Sequence, residues 1–345
     1  MKLSDFDYHL PKELIAQEGL ADRDDARLMV LDRAGGLSHS LVRDLPEILK
    51  PGDLLVLNDT RVIPAKLLGR KVSGGKVDCL VLPAPPPPGR PDVREALLRG
   101  SRVRPGIKLL FKDGNGLVLT ASVLERAAGA RYLVEFSDPA AIGKMGSLPL
   151  PPYIKRPLAE PSRYQTVFSK NDGSLAAPTA GLHFTDRLLD RLKERGVETA
   201  FLTLHVGVGT FAPIRTATVE DWTLHEEYFR IGAGAAERIN LAAREGRRVF
   251  AVGTTAVRAL ESALVVGGTL APKEGWTDIY IYPGYRFKLP YAGLLTNFHL
   301  PKSSLLLLAS AFAGRERILS AYREAIVKRY RFYSFGDAML VFRDL

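Results

Sequence analysis

The stretch "RRVFAVGTTAVRALESAL", residues 247–264, reads as an apolar strand, a glycine turn and a helix in immediate succession. Four apolar residues form a run of strand length, Gly253 permits a tight turn, and good helix formers follow it. A strand that feeds a helix in this way belongs to an α/β pattern, in which strands and helices alternate along the chain. The chain supplies more of both on either side. "RLLDRLKERG" (187–196) places Leu188, Leu189 and Leu192 on one helical face and stops at Gly196, and "VETAFLTLHV" (197–206) follows as a strand. Further on come the helix "AERINLAAREG" (236–246), a strand over "WTDIYIYPG" (276–284) and the helix "PKSSLLLLASAFAG" (301–314), which opens with Pro301 in its first turn. The helix "RERILSAYREAIVKR" (315–329) and the strand "YSFGDAMLVF" (333–342) complete the series. Before all of these, "LKPGDLLVLNDTRVI" (49–63) turns at Pro-Gly into another apolar strand. The pattern predicts an α/β class protein.

Between residues 61 and 149 the character changes. "KVDCLVL", "IKLLF", "LVLTASVL" and "RYLVEF" are short strands, and "KDGNG" between the middle two is a hairpin signal. "PAPPPPGRP" (83–91) suits neither a helix nor a central strand and reads as a loop. The expected architecture is therefore a large mixed α/β domain built from residues 1–60 and 150–345, with a small β-barrel-like domain, 61–149, inserted in it.

A chain of 345 residues with 46% hydrophobic and 25% charged residues is ordinary for a globular protein. "SSLLLLASAFAG" is too short to span a bilayer, and the N-terminal stretch has no continuous apolar run for a signal peptide. A single cysteine, Cys79, excludes an internal disulfide and a cysteine-cluster metal site. A cytoplasmic protein without a membrane partner is expected. The net charge of +10 favours polyanions such as RNA, but the basic residues are scattered, and only "VKRYRFY" interleaves them with aromatics.

Chemistry is suggested at several strand–helix junctions. Four of the six histidines, His183, His205, His225 and His299, stand beside Gly, Pro, Thr or Asn in "AGLHFT", "LHVGVG", "LHEEY" and "TNFHLPKSS". Each is a candidate general acid or base, although a histidine taken singly is more often a satisfied structural residue. No pair has the spacing of a helical metal site, so no metal is expected. At the start of the helix after Gly253, Thr254 or Thr255 can cap, and Arg258 one turn in can contact a carboxylate or phosphate. Gly207, Gly209 and Ala212 fit a loose dinucleotide pattern with Glu226 and Glu227 downstream, but Pro213 and "TATV" follow where that motif requires a helix. A dinucleotide oxidoreductase and a non-enzymatic RNA-binding module are the competing readings.

Taken together, "DFDYHLPKELIAQ", "LNDTRVIPAKL", "GSLPLPPYI", "RYQTVF", "GSLAAPTAGLHFT", "LHVGVGTFAPI", "HEEY", "VGTTAVRALES", "LLTNFHLPKSSLL" and "YRFYSFGDAML" resemble, in order, the S-adenosylmethionine:tRNA ribosyltransferase-isomerase family of queuosine biosynthesis. The chain departs from that pattern at Asp25–Ala26, where a small hydroxyl residue is common, and at Leu224, where methionine is typical. The resemblance implies transfer of the ribosyl part of S-adenosylmethionine to a 7-aminomethyl-7-deazaguanine base at the tRNA wobble position. Epoxyqueuosine forms, and adenine and methionine leave. It implies no cofactor beyond S-adenosylmethionine as a consumed donor, and the tRNA anticodon stem-loop as partner; a monomer is expected. Among site residues it points to His183, His299, His205, His225 and Glu227 for catalysis. Thr179, Gly181, Gly207, Gly209, Thr254, Thr255, Arg258, Asn297, Asp59 and Arg61 are the candidates for substrate binding.

Overall fold

The computed structural model describes residues 1–343 except 115, 128–129, 157, 159, 208, 210–212 and 266–267. In chain order the elements are β1 (Arg27–Leu31), β2 (Leu37–Leu41), α1 (Leu45–Ile48), β3 (Leu54–Asn58) and β4 (Thr60–Val62). Then come β5 (Lys66–Lys71), β6 (Lys76–Val81), β7 (Val93–Arg99), β8 (Lys108–Lys112), β9 (Val118–Arg126), β10 (Arg131–Phe136) and α2 (Ile142–Met145). After these follow β11 (Asn171–Ser174), α3 (Asp186–Glu194), β12 (Glu198–Leu204), β13 (Glu227–Ile231), α4 (Ala233–Arg244) and β14 (Val249–Val252). The chain ends with α5 (Thr254–Ala263), β15 (Lys273–Thr277), β16 (Tyr291–Asn297), α6 (Ser304–Ala313), α7 (Arg315–Val327) and β17 (Ala338–Phe342). It divides into two compact units: Met1–Arg61 with Pro151–Asn171 and Ala177–Leu345, and Val62–Leu150 with Asp172–Ala176. The sequence places 172–176 with the larger part; the structure groups them with the smaller.

The larger unit is built on a nine-stranded sheet of order β15-β13-β12-β3-β14-β16-β17-β1-β2. Its centre is parallel: β12 pairs with β3, β3 with β14, and β14 with β16. Every residue of β3, β14 and β16 is buried, which is why these strands read as continuous apolar runs rather than alternating ones. Leu55, Leu57, Phe250, Val252, Leu295 and Leu340 share one core cluster with Phe184, just before α3, and with Leu188 and Leu192 within it. Thr185 caps α3 by accepting from the Leu188 N–H at 3.1 Å.

The smaller unit closes into a six-stranded barrel of order β10-β7-β6-β5-β8-β9. Alternation does the work here: Val77, Cys79 and Val81 from β6, Leu119, Ala121 and Val123 from β9, and Tyr132, Val134 and Phe136 from β10 are buried. Closure leaves no free sheet edge. Burial pushes the Cys79 thiol up to about 12, so it is an inert core residue. Residues 83–91 join β6 to β7 without a strand.

Three local expectations are corrected. The strand expected over 276–284 is displaced: β15 spans Lys273–Thr277, and the Thr277 hydroxyl accepts from the Ile279 N–H at 3.1 Å, turning the chain out of the sheet. Pro301 does not open α6, because Ser303 is the cap, accepting from the Leu306 N–H at 3.3 Å. Thr254 and Thr255 do not cap α5: they are its first residues, and Gly253 at φ +88 is the N-cap, with no side chain to offer.

Candidate active site

Because the four central strands are parallel, their carboxyl ends face one edge of the sheet, where open α/β folds collect ligands. Asn58, His205, Gly253 and Asn297 stand at those ends. β13 runs antiparallel to β12, and β17 antiparallel to β16, so Glu227 and the turn before Ala338 reach the same edge.

Asn297 is the hub of one cluster. A 3-10 turn, Thr179–His183, crosses beside it. Thr179 Oγ1 donates to Asn297 Oδ1 at 3.1 Å, and Asn297 Nδ2 donates to His183 Nε2 and to the Tyr333 carbonyl, both at 3.1 Å. Gly181 lies inside the turn, its N–H bonded to the Pro178 carbonyl at 2.8 Å. Two residues after Asn297, His299 pairs Nε2 with Thr296 Oγ1 at 2.8 Å, its N–H donates to the Tyr322 hydroxyl at 2.9 Å, and its carbonyl accepts from Tyr8. Burial pushes His183 down to about 4, with the Arg331 charge adding to the effect, and pushes His299 down to about 3. Both imidazoles are neutral at pH 7. A cavity of about 610 Å³ opens here, with Tyr153, Thr179, Pro213, Asn297, His299 and Tyr333 in its wall. That volume is in the range of small-molecule sites. His183 lines a separate, water-sized cavity of about 30 Å³.

A second cluster gathers at the ends of β3 and β12. Asn58 extends the ladder with its side chain, accepting from the Leu204 N–H at 3.0 Å and donating to the Leu204 carbonyl at 2.9 Å and to Thr255 Oγ1 at 3.2 Å. Thr60 Oγ1 and His205 Nδ1 lie 2.7 Å apart, and the His205 ring stacks on Tyr228 with centroids 5.5 Å apart. Glu227 accepts from the Gly207 N–H at 2.7 Å and forms an ion pair with Arg258 Nη1. Arg258 Nε donates to the Ile279 carbonyl at 3.2 Å, while its Nη2 is buried without a partner. The sequence offers Arg258 to an incoming carboxylate; in the structure one arm of its fork is already held by Glu227. The His225 ring packs so closely on Gly209 that a Cβ there would lie 2.7 Å from His225 Cδ2, which only glycine avoids. The dinucleotide pattern falls partly outside the described residues, which leave out 208 and 210–212, Ala212 among them; among the described residues the first α-helix after β12 is α4.

Asp59 and Arg61 form a third group. Asp59 Oδ1 accepts from Thr203 at 2.7 Å and from Asn171 at 3.0 Å, and Arg61 donates to the Ser169 carbonyl at 2.7 Å. Sequence reasoning singles out "NDTR" but picks Asp59 and Arg61, whereas the residues that meet a candidate histidine and α5 are Thr60 and Asn58. It quotes Tyr153 and Tyr333 inside "GSLPLPPYI" and "YRFYSFGDAML" without naming either as a site residue. Among the described residues no group of three or more His, Cys, Asp or Glu could hold a metal, and no helix is long and apolar enough to cross a membrane.

A mixed α/β sheet with buried polar side chains and a ligand-sized cavity at the carboxyl ends of its parallel strands, joined in one chain to a closed barrel, defines a ligand-binding α/β protein of the enzyme type. The chain belongs to the queuosine biosynthesis protein family, whose model matches residues 3–341. It is 50% identical over 99% of its length to the whole of an S-adenosylmethionine:tRNA ribosyltransferase-isomerase of Desulfitobacterium hafniense. It is 51% identical, again over 99% of its length, to the whole of the protein of that name from Symbiobacterium thermophilum. The crystal structure of S-adenosylmethionine tRNA ribosyltransferase from Thermotoga maritima matches with a TM-score of 0.55 and 36% identity, covering 98% of this chain and 100% of that one.

Proposed function

We infer that this chain is an S-adenosylmethionine:tRNA ribosyltransferase-isomerase, moving the ribosyl part of S-adenosylmethionine onto a 7-aminomethyl-7-deazaguanine at the tRNA wobble position and releasing adenine and methionine. The observation that carries this is identity near 50% along the whole of relatives that bear that name. The tRNA anticodon stem-loop is the macromolecular substrate, S-adenosylmethionine is consumed rather than recycled, and the cytoplasm, where tRNA is found, is the compartment. The larger unit is the catalytic one.

The reaction asks for two proton movements. The sulfonium acidifies the neighbouring C5′ protons, which a base must take, and adenine leaves more easily once protonated. His183 and His299 are neutral and hydrogen-bonded at pH 7; they hold Asn297 and the cavity wall in place, and a proton can be taken up there only against the burial that depresses them. We therefore assign proton transfer to His205 and His225, with Glu227 fixing Arg258 and the Gly207 loop. The first-turn N–H groups of α5, with Thr254, Thr255 and the free Nη2 of Arg258, suit the methionine carboxylate. The test is incubation of an anticodon stem-loop bearing the aminomethyl base with S-adenosylmethionine, followed by mass analysis and adenine quantification. We expect epoxyqueuosine and equimolar adenine. H205A or H225A slows adenine release by roughly 10²–10⁴-fold in whichever variant removes the proton carrier. Stem-loop binding without product sinks the enzyme reading, and wild-type turnover in both variants sinks the assignment of the histidines.

A further inference from the structure

Tyr333 stands where a bulky residue is rarely found, with a backbone φ of +73. The conformation is enforced from three sides. Its N–H donates to the Phe298 carbonyl at 3.1 Å, and its carbonyl accepts from Asn297 Nδ2 at 3.1 Å and from the Gly336 N–H at 2.8 Å. What this strained backbone achieves is to hold the phenol in the wall of the 610 Å³ cavity. The residue is only 7% exposed, and its hydroxyl is buried without a hydrogen-bond partner. Buried tyrosine hydroxyls normally find one.

The rest of the wall sharpens the contrast. Thr179 is bonded to Asn297, Asn297 to His183, Tyr153 to Ser334 at 2.5 Å, Ser303 to the Leu300 carbonyl at 2.8 Å, and Lys302 to Asp7 at 2.7 Å. Among these side-chain hydroxyls, that of Tyr333 is the one without a hydrogen-bond partner. Flat apolar groups lie beside it in the wall: Tyr153, with its ring centroid 4.2 Å away, and the prolines 152, 213 and 301. The described wall includes no carboxylate. Burial raises the Tyr333 pKa above its ordinary value, so the group stays a neutral donor at any working pH. A planar, uncharged heterocycle with acceptor atoms on its edge matches such a wall.

We propose that Tyr333 is a binding residue of this cavity, its phenolic O–H donating to an edge acceptor of a purine-type base seated against Tyr153. The proposal rests on the function inferred above, which supplies two such bases: the adenine of S-adenosylmethionine and the 7-deazaguanine of the tRNA. The experiment compares full-length wild type with Y333F, which removes one oxygen and leaves the ring. Affinities are measured for S-adenosylmethionine, for free adenine and for the anticodon stem-loop bearing the aminomethyl base. Loss of one hydrogen bond weakens the ligand whose base is bound by about five- to tenfold. Weakening confined to S-adenosylmethionine and adenine assigns the adenine; weakening confined to the stem-loop assigns the tRNA base. Unliganded Y333F is expected to unfold at the same denaturant concentration as wild type or a higher one, since it loses a hydroxyl buried without a partner. Unchanged affinity for all three ligands overturns the proposal, as does a fall in unliganded stability with equal loss of all three affinities, which marks a structural residue. Wild type that binds adenine with Tyr333 dependence but forms no product sinks the inferred function and leaves the base site standing.

Discussion

At the scale of single residues, the two buried histidines at the sheet edge make the stability of this protein depend on pH. His183 is 4% exposed and His299 7% exposed, and burial holds their folded values at about 4 and about 3, against an ordinary value of about 6.5 in the unfolded chain. The folded values are the lower ones, so on acidification the unfolded chain takes up these protons first. The stabilisation is complete above about pH 6.5 and is lost as the pH falls towards the folded values, at up to about 1.4 kcal/mol per pH unit for each histidine. Urea unfolding measured between pH 7 and 5, above the range where most carboxylates titrate, should show this slope, and His299→Asn should remove its share. A wild-type stability that is flat across that interval contradicts the neutral, buried state of both rings. The same observation explains why sequence could name these histidines and not their role: their positions are visible in the chain, whereas the burial that keeps them neutral exists only once the chain has folded around them.

At the scale of elements, the unit that opened the sequence reading also carries its most exacting backbone requirement. Gly253 joins β14 to α5 at φ +88, and a Cβ there would lie 3.5 Å from Thr255 Oγ1 and 3.6 Å from Ala180 Cβ, which is ordinary contact. Space is thus available, and the cost of Gly253→Ala is conformational, about 1–3 kcal/mol, because φ +88 with ψ +153 is a region that glycine alone adopts readily. We expect that loss in equilibrium unfolding, together with weaker S-adenosylmethionine binding if the first turn of α5 holds the cosubstrate. Wild-type stability in G253A would mean that the turn relaxes to another conformation. The β14–α5 unit was legible because strand, glycine and helix formers each point the same way. The stretch 276–284 was not. Its Tyr and Ile alternate as in a strand, yet the Thr277 hydroxyl bonds to the Ile279 N–H and the Ile279 carbonyl is drawn to Arg258, 21 residues earlier. Capping by Thr254 or Thr255 was equally plausible locally, and lost because Gly253 already occupies the capping position. The Glu227–Arg258 pair joins residues 31 apart in the chain, and Tyr333 adopts a conformation that no sequence pattern announces.

At the scale of the whole molecule, the excess of 48 basic over 38 acidic residues, a net +10, is a property of the chain rather than of any one site. Part of the charge is neutralised locally, as where Arg247 meets Glu198 at 2.8 Å, Arg191 meets Glu47 at 2.9 Å and Arg43 meets Asp25 at 2.7 Å. Pairs of this exposed kind contribute little to stability, so their number says little about the fold. The unpaired remainder acts at longer range, raising the local concentration of a polyanion and the rate of its encounter. The buried Arg258–Glu227 pair is shielded from salt by its surroundings, and the cavity wall is largely uncharged. The two substrates should therefore respond differently to ionic strength. Each phosphate contacted contributes a slope of about 0.7–0.9 to the dependence of log affinity on log salt. With about three or four contacts, raising salt from 50 to 200 mM weakens the stem-loop by roughly 20- to 150-fold. If S-adenosylmethionine binds at the proposed site, its affinity should change by less than about twofold over the same interval, because counterions do not reach those groups. Parallel titrations of the two ligands in the same buffers make the comparison. A stem-loop affinity indifferent to salt would show that the net charge has no part in capturing tRNA, leaving recognition to base and shape contacts alone.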